Sequence, residues 1–393
     1  MNVPIINLNS GELSPKIDAR SDIEKYSAGC RTCENMIPLV YGPVERRPGT
    51  QYIYGSYDNS VVGRLIPFIY SNAIAYVVEM SALIFRYFFD GGIVLDDDDE
   101  VVTTTTPYLG SDLFQIQFAQ SNDVMILTHR DYHPRTLSRI SATEFELEEI
   151  PFKFGPFLGR NDYFNDDDIT LSSSVIVKDA VGTLTAAGPM APVEVFEADH
   201  VGSLWKLTMP RVTTGTSGTA TGTGVIGVAI DIDGPFTLKT AGHWAATVEL
   251  QRNEAENGWE TYRTWKSTLS AGVGSLNAQY TGIEYAQNVQ YRIYVSTYVG
   301  GTVEASLTVN TSTQSGIVEV QSVESTSSAT VIVISKLAKA DTATKQWYEG
   351  AWSGVRGYPK TVTFMQDRCI YASTYYQPQT IWFSESGAYA RID

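Results

Sequence analysis

The chain has 393 residues, with 28 Lys and Arg against 44 Asp and Glu, which gives a formal net charge of −16 at pH 7. A protein this acidic repels phosphate, so its composition excludes a broad nucleic-acid-binding face. Hydrophobic residues make up 43% and aromatic residues 11% of the chain, which excludes a disordered acidic tail. The length predicts two or three domains.

The amino-terminal segment lacks the features of a signal peptide. Glu12, Lys16 and Asp18 lie where such a peptide would need an unbroken apolar core. No later run reaches the roughly 18 apolar residues that a membrane-spanning helix requires. We therefore expect a protein that is made in the cytoplasm, does not span a membrane and does not leave by a signal-dependent route.

Cys30, Cys33 and Cys369 are too few, and odd in number, for a disulfide scaffold, and they suit a reducing compartment. The C-x-x-C spacing of the first two occurs in both zinc sites and redox sites. A zinc site would need two more ligands, and His129 and His133 lie far along the chain. A redox motif should open a helix after a buried strand, whereas turn residues follow here. We predict two half-buried thiols with no metal and no cofactor.

The first predicted element is a short helix. Ile23, Tyr26 and Cys30 are spaced as i, i+3 and i+7, and Ser21 is a suitable N-cap before Glu24. A loop follows this helix.

An antiparallel meander comes next. The runs "VVGRLIPFIY", "AIAYVVEM" and "ALIFRYFF" are rich in β-branched and aromatic residues and are separated by turns too short for crossover helices. Similar runs continue to residue 150. We assign residues 1–155 to the first part of a β platform domain.

Two acidic runs interrupt this pattern, at residues 96–100 and 166–168. Calcium loops usually space their ligands with glycine between them, and neither run does so. We predict solvated loops, with calcium binding as the alternative.

The composition changes near residue 155 to Gly, Ser, Thr and Ala, with short alternating strands that are typical of β-sandwiches. The run "TTGTSGTATGTG" predicts a connector that divides this region into a small β insert, residues 156–234, and an Ig-like or jelly-roll-like sandwich, residues 235–342. The sandwich contains Trp244, Trp259, Trp265, Tyr291 and Tyr294. Their alternation favours core positions, and the alternative is a sugar-binding platform formed by residues such as Trp259 and Trp265.

Residues 343–393 return to the aromatic-rich pattern of the first segment. The predicted fold is therefore mainly β. It consists of a discontinuous antiparallel, propeller-like or platform domain, an inserted β-sandwich region and one short N-terminal helix. The second part of the platform is expected to be incomplete, with its open edge covered by further chain or by another subunit.

No motif for nucleophilic, phosphate-binding or zinc-dependent catalysis is found in the sequence. His129 and His133 have the i, i+4 spacing of metal ligands on a helix, but Pro134 places them at the corner of a strand and a loop. Pairs of carboxylates are too common among 44 acidic residues to identify a glycosidase. We predict no catalytic residue, no metal site and no enzymatic activity.

Arg46 and Arg47 stand between prolines and glycines in "GPVERRPGT". A guanidinium group in a rigid loop can hold carboxylates or carbonyl groups with two parallel hydrogen bonds. The pair could lock onto an Asp or Glu of the same domain, or it could bridge to a neighbouring subunit.

The amino-terminal segment resembles the opening signature of the tail tubular protein B family, the tail nozzle proteins of short-tailed bacteriophages. The matching residues are Gly11, Glu12, Ser14, Pro15, Arg20, Asp22, Lys25, Tyr26, Gly29, Asn35, Pro38, Gly42 and residues 46–50. The stretches "RLIPFIYSNAIAYVVEM", "FAQSNDVMILTHRDYHPRTLSR" and "GYPKTVTFMQDRCIYASTYYQPQTIWFSESGAY" are similar to later blocks of the family. The resemblance covers about half of the chain, and family members usually continue well beyond residue 393.

The resemblance implies a structural component of the virion tail, made in the host cytoplasm. Six copies would form a ring that meets a tail adaptor protein, offers docking surfaces for tail fibre proteins and passes viral DNA without sequence-specific binding. It implies that Arg46, Arg47, Arg20, Asp22 and Tyr26 lie at the subunit or adaptor interface. The alternative function is a carbohydrate-binding adhesin that holds a host surface glycan through the Trp-rich sandwich.

Overall fold

A computed structural model of the chain describes residues 6–160, 168–189, 193–254, 258–267 and 277–392. The fold is mainly β, as predicted, with 54% of residues in strands and 3% in helices. Two compact units are distinguished by their internal contacts, one formed by residues up to 56 with 91–93 and the other by the remaining residues. In these described ranges, no helix has the length and apolar character needed to cross a membrane.

The strands of the first half are β1 Gly11–Glu12, β2 Gly29–Cys30, β3 Met36–Pro38, β4 Val44–Arg46, β5 Arg64–Ile69, β6 Ala75–Ser81, β7 Ile84–Phe89, β8 Gly92–Ile93, β9 Thr103–Thr105, β10 Gln117–Ser121, β11 Val124–His129, β12 Tyr132–Arg139, β13 Phe145–Glu149, β14 Thr170–Ser173 and β15 Val181–Ala187. Those of the second half are β16 Leu204–Pro210, β17 Gly215–Ala220, β18 Gly224–Asp231, β19 Gly234–Glu254, β20 Glu260–Ser267, β21 Gln279–Glu284, β22 Val289–Val309, β23 Thr313–Ser325, β24 Ser328–Ser335, β25 Trp347–Glu349, β26 Thr361–Met365, β27 Arg368–Ala372, β28 Ile381–Glu385 and β29 Ala388–Ile392. Short 3₁₀ helices lie at Pro15–Ile17, Glu24–Ala28 and Ala198–His200.

The first unit is built from two small pairings. Strand β1 pairs with β2 in parallel, and β3 pairs with β4 antiparallel. The predicted N-terminal helix is a single 3₁₀ segment, Glu24–Ala28, and its N-cap is Ile23 rather than Ser21. Cys30 lies beyond its end, in β2. The i, i+7 spacing therefore does not describe a helix face, because the helical segment ends before Gly29.

The predicted meander is present in the second unit, where β5, β6 and β7 pair antiparallel in chain order and β9 adds to β7. Strands β10 to β13 form a second antiparallel meander. Alternate residues of these strands turn inward and share one core, in which the rings of Tyr87 and Phe145 stack with centroids 3.8 Å apart. Burial of aromatic rings on this scale is the main favourable contribution to the packing.

The middle of the chain forms two larger sheets. One has the strand order β14-β15-β24-β23-β16-β25, and the other is organised around the long antiparallel pair β19 and β22. The first of these sheets takes strands from all three predicted segments, 156–234, 235–342 and 343–393. How the chain divides into folding domains stays a prediction.

The low-complexity run at residues 213–224 is not a connector. It contains β17, which pairs with β22 along its whole length. Threonine has high β-propensity, and the edge of a long strand supplies the hydrogen-bonding partners that the run needs. A composition rich in Gly and Thr was therefore misinterpreted as a linker.

The return segment forms a third meander, β26 to β29. Its buried residues Tyr371 and Trp382 share a core with Ile126 and Phe152 from the first part of the chain. The aromatic-rich segments at the two ends of the sequence therefore pack together, although the strands of the two middle sheets separate them in the sequence.

Candidate functional site

The hairpin of β3 and β4 displays the two predicted arginines. The Arg46 side chain is exposed, with no hydrogen bond or ion pair to any described residue. The Nε of Arg47 donates to Oδ1 of Asn35 at 3.2 Å, and its backbone N–H donates to the Asn35 carbonyl at 3.0 Å. Asn35 has φ 59°, a conformation that asparagine tolerates better than most residues. Neither arginine contacts a carboxylate in the described part of the chain, so an intrachain lock onto Asp or Glu is not found.

The other three predicted interface residues lie together at a separate turn. Arg20 donates from Nε to Oδ1 of Asp22 at 2.7 Å and from Nη2 to Oδ2 at 2.6 Å. This fork lowers the pKa of the Asp22 carboxyl. The hydroxyl of Tyr26 accepts the backbone N–H of Ala19 at 3.0 Å. Because the Arg20–Asp22 pair is exposed, it adds little net stability, and it mainly holds the shape of the turn.

These two groups are not brought into contact with each other. Within the described residues, no hydrogen bond or ion pair joins Arg20, Asp22 or Tyr26 to Arg46 or Arg47. The residues predicted from the resemblance therefore form two separate features of the first unit, the turn with Arg20 and the arginine hairpin, rather than a single cluster.

Sequence reasoning missed the apolar side chains around the arginine hairpin. Val40 is 86%, Tyr41 95% and Tyr52 81% exposed. Among the described residues of this unit, the exposed large hydrophobic ones are Ile6, Met36, Ile37, Val40, Tyr41, Tyr52, Ile53 and Tyr54. None of the four hydrophobic cores includes a residue from this unit. The available signal was the pair of apolar runs "MIPLVY" and "QYIY", which lie outside any predicted sheet.

The two tryptophans proposed for glycan contact occupy different environments. Trp265 lies in β20, is 9% exposed and belongs to the core around β19 and β22 together with Trp244 and Tyr291. Trp259 precedes β20 and is half-buried, with the guanidinium of Arg292 4.2 Å from its ring centroid. Trp259 is therefore accessible to a ligand, whereas Trp265 contributes to packing.

The histidines lie at a corner between strands, as predicted. His129 ends β11 and His133 lies in β12. Burial lowers the pKa of both imidazoles. The Nε2 of His129 has no hydrogen-bond partner, and no group of three potential metal ligands is found among the described side chains.

The acidic run at residues 96–100 forms a local turn. Oδ1 of Asp96 accepts the backbone N–H groups of Asp98 and Glu100 at 3.0 and 2.9 Å. Of the second run, residues 166 and 167 lie outside the described residues, and Asp168 pairs with Lys345 at 2.6 Å.

The Cys30 and Cys33 thiols are half-buried, as predicted, and donate to the carbonyls of Gly11 and Met36.

A buried ionic network is the arrangement closest to a catalytic one. Arg356 donates to both carboxylate oxygens of Glu349 at 2.7 and 2.8 Å, and Nε2 of His200 lies 3.0 Å from Oε1. Burial raises the pKa of the Glu349 carboxyl, but the hydrogen bonds from His200 and Arg356 outweigh it and the net pKa is lowered.

The neighbouring serine does not complete a triad with this network. Ser203 Oγ donates to the His200 carbonyl at 2.5 Å rather than to its ring. Nδ1 of His200 accepts the Glu197 N–H at 2.9 Å, so the remaining ring proton lies on Nε2. A nucleophile needs a hydrogen bond to its base, and this geometry does not supply one. The network ties the 3₁₀ helix Ala198–His200 and the loop that carries Arg356 to the end of β25.

No family model matches the sequence, and no curated protein matches it. Among solved structures, the chain is similar to a GH32 β-fructofuranosidase from Bombyx mori, at 12% identity over 68% of this chain and 69% of that one, with a TM-score of 0.17. An exo-β-1,3-galactanase from Phanerochaete chrysosporium matches at 10% identity over 68% and 72%, with a TM-score of 0.16. A GH31 α-xylosidase from Xanthomonas citri matches at 8% identity over 69% and 38%, with a TM-score of 0.14. TM-scores this low support no conclusion about activity.

Proposed function

We propose that the protein is a structural component of a phage tail, a nozzle ring that extends the DNA ejection channel and docks to the tail adaptor and tail fibres. The amino-terminal motif supports this proposal. The observation that carries it is the first unit, whose described residues expose eight large hydrophobic side chains, four of them on the arginine hairpin itself. Exposed apolar patches of this kind mark protein–protein contacts.

The arginine hairpin would supply both parts of such a contact. Val40 and Tyr41 lie in the turn between β3 and β4, whereas Arg46 ends β4 opposite Met36 and Arg47 follows it. Aromatic residues and arginines are the side chains most enriched at the energetic centres of interfaces. The partner is the adjacent subunit or the adaptor. A head-to-tail contact that repeats and closes gives a ring, here of six copies.

The charge distribution is consistent with this role. The first 56 residues contain six basic and six acidic residues, so the whole formal excess of −16 lies in residues 57–393. A neutral unit can associate without long-range repulsion, while an acidic body does not retain DNA through counterion release. The DNA would therefore pass without sequence-specific binding.

The test is a double substitution, Arg46→Ala with Arg47→Ala, introduced into the virion. We expect the six-fold ring to be lost from electron micrographs of purified tails and DNA ejection to fail. Arg263→Ala, an exposed arginine of β20, controls for the loss of positive charge. Complete, DNA-ejecting tails formed by the double variant would exclude this interface.

A second candidate function is a carbohydrate-binding adhesin, because Trp259 is accessible beside a polar surface. Under this alternative the intact chain binds host surface glycans and Trp259→Ala abolishes binding without unfolding the protein. A glycan array run with the intact chain and with this variant separates the two candidates.

A further inference from the structure

A polar cleft of about 200 Å³ lies where the ends of β18, β19, β22 and β24 approach the loop before β15. Its polar lining consists of Lys178, Asp231, Asn253, Asn288, Gln290 and Lys336. One of its described lining residues, Val177, is apolar. A space of this volume admits several water molecules, so a small polar ligand can enter it.

The cleft is lined by two lysines and one carboxylate, and each lysine is paired with a carboxylate, because Lys178 Nζ lies 3.3 Å from Asp179 Oδ2. Lys336 Nζ contacts Asp231 Oδ2 at 2.5 Å, and Gln290 Nε2 donates to Asp231 Oδ1 at 3.1 Å. An anionic ligand would be repelled by the Asp231 carboxylate. An apolar ligand would displace water from the amide groups without replacing their hydrogen bonds. The cleft therefore favours an uncharged ligand with many hydroxyl groups.

Several polar groups remain available to such a ligand. Asn253 uses its Oδ1 to accept the Gly258 N–H at 3.2 Å, which leaves its NH₂ as a donor. Gln290 donates through Nε2 and leaves Oε1 as an acceptor. Lys178, at the rim, contacts Asp179 through Nζ at 3.3 Å and retains further ammonium donors for a ligand. The cleft thus offers both donors and acceptors, as the hydroxyl groups of a sugar require.

The strand register connects this cleft to Trp259. Asn253 pairs with Gln290, and two residues further along the same strands Gln251 pairs with Arg292. Both pairs face the same side of the sheet because side chains alternate, and Arg292 Nε donates to Gln251 Oε1 at 2.8 Å. Two residues of strand span about 7 Å, so the indole that packs on Arg292 lies about one sugar ring beyond the cleft.

We propose that this surface binds a neutral oligosaccharide, with one ring in the cleft and the next ring against Trp259. The site is independent of the nozzle proposal, and it gives the adhesin alternative a location that excludes Trp265. A second groove, of about 410 Å³, lies on the same body but is lined by Ser, Thr, Gly, Ala, Lys and Glu residues. Because it has no aromatic ring, it provides a matched control surface.

The test uses saturation-transfer difference NMR on the intact chain, with glucose, galactose, mannose and their N-acetylated amines as single sugars and disaccharides. We expect signals from at least one sugar, with the disaccharide bound more tightly than its single ring. Lys178→Ala and Trp259→Ala should each weaken binding at least about fivefold, the effect of one lost hydrogen bond or contact. Lys239→Ala, in the second groove, should leave the dissociation constant unchanged.

Lys178 and Trp259 both lie outside the hydrophobic cores, and thermal unfolding would verify that each variant is folded. The proposal is overturned if no sugar of the panel gives a signal. It is equally overturned if sugars bind and the Lys178→Ala and Trp259→Ala variants both retain the affinity of the unmodified chain.

Discussion

His129 ends β11 and is buried, and His133 lies near the start of β12 and is half-buried. For His129, burial lowers the pKa and the carboxylates of Asp131 and Asp112 offset only part of that effect. For His133, burial also lowers the pKa, and the hydrogen bond to the Pro134 carbonyl acts in the opposite direction. Both rings are therefore neutral in the folded protein at pH values where an unfolded histidine takes up a proton.

We expect local stability at this turn to fall as the pH drops below about 6.5, the pKa of an unperturbed histidine. Because the pKa of each histidine is lower in the folded state, the unfolded state binds more protons at acidic pH. The free energy of unfolding is therefore highest above about pH 6.5 and falls as the pH decreases from there towards the pKa of the folded state. The slope can reach about 1.4 kcal/mol per pH unit for each histidine. Hydrogen exchange of β11 and β12 at pH 7.5 and 5.5, corrected for the intrinsic exchange rate, measures it.

The double variant His129→Asn with His133→Asn should flatten this dependence, because an asparagine side chain can replace the hydrogen bonds without titrating. The exposed His243→Asn controls for the substitution. A pH dependence that the double variant retains would show that other groups cause it.

At the scale of an element, one glycine in β22 determines how the long strands β19 and β22 pair with each other. They pair over 21 residues each, with register shifts near Ala245 and Thr247. Gly301 pairs opposite Trp244 and has φ +86°. A Cβ at this position would overlap the carbonyl oxygen of His243. Glycine allows both the left-handed backbone and the close approach of the His243 carbonyl at this position.

Gly301→Ala should therefore destabilise this sheet by at least about 2 kcal/mol, from the left-handed backbone and the overlap together. Calorimetry of the intact protein would detect the lowered melting temperature. Gly222→Ala is the matched control, since no heavy atom lies within 4 Å of the place that its new methyl group would occupy. Equal melting temperatures for the two variants would contradict the role of Gly301.

Much of the strand content could be predicted because alternation and β-branched residues mark half-buried strands locally. The continuity of β22 could not be predicted, since Gly300 and Gly301 resemble a turn in the sequence and instead lie within one continuous strand. The prolines and glycines around Arg46 and Arg47 predicted a rigid loop, and the structure instead has the hairpin of β3 and β4 there, with Arg46 at the end of β4. The exposed tyrosines around this hairpin were not predicted, because exposure depends on the absence of a covering element. The polar cleft was also missed, because residues as distant as Lys178 and Lys336 meet only in the folded chain.

At the scale of the whole molecule, two forces compete in any assembly of this chain. Each copy carries a net charge of −16, concentrated outside the first unit, so copies repel one another. The exposed apolar residues of the first unit favour association, and their contribution does not depend on screened charges. Changing the ionic strength separates the charge repulsion from the apolar association, because only the repulsion is screened by salt. The Debye length falls from about 10 Å at 0.1 M to about 3 Å at 1 M salt.

We expect the assembled fraction of the purified protein to increase between 0.1 and 1 M NaCl, because salt screens the repulsion while apolar burial persists. Sedimentation velocity measures this fraction directly. Tyr41→Ser should reduce assembly at both concentrations, since that side chain is 95% exposed beside the arginine hairpin. Tyr285→Ser removes an 83% exposed tyrosine from the middle of the chain and should have no effect. An assembled fraction that falls with salt would instead mean that arginine–carboxylate pairs dominate the contact, as they are weakened by screening.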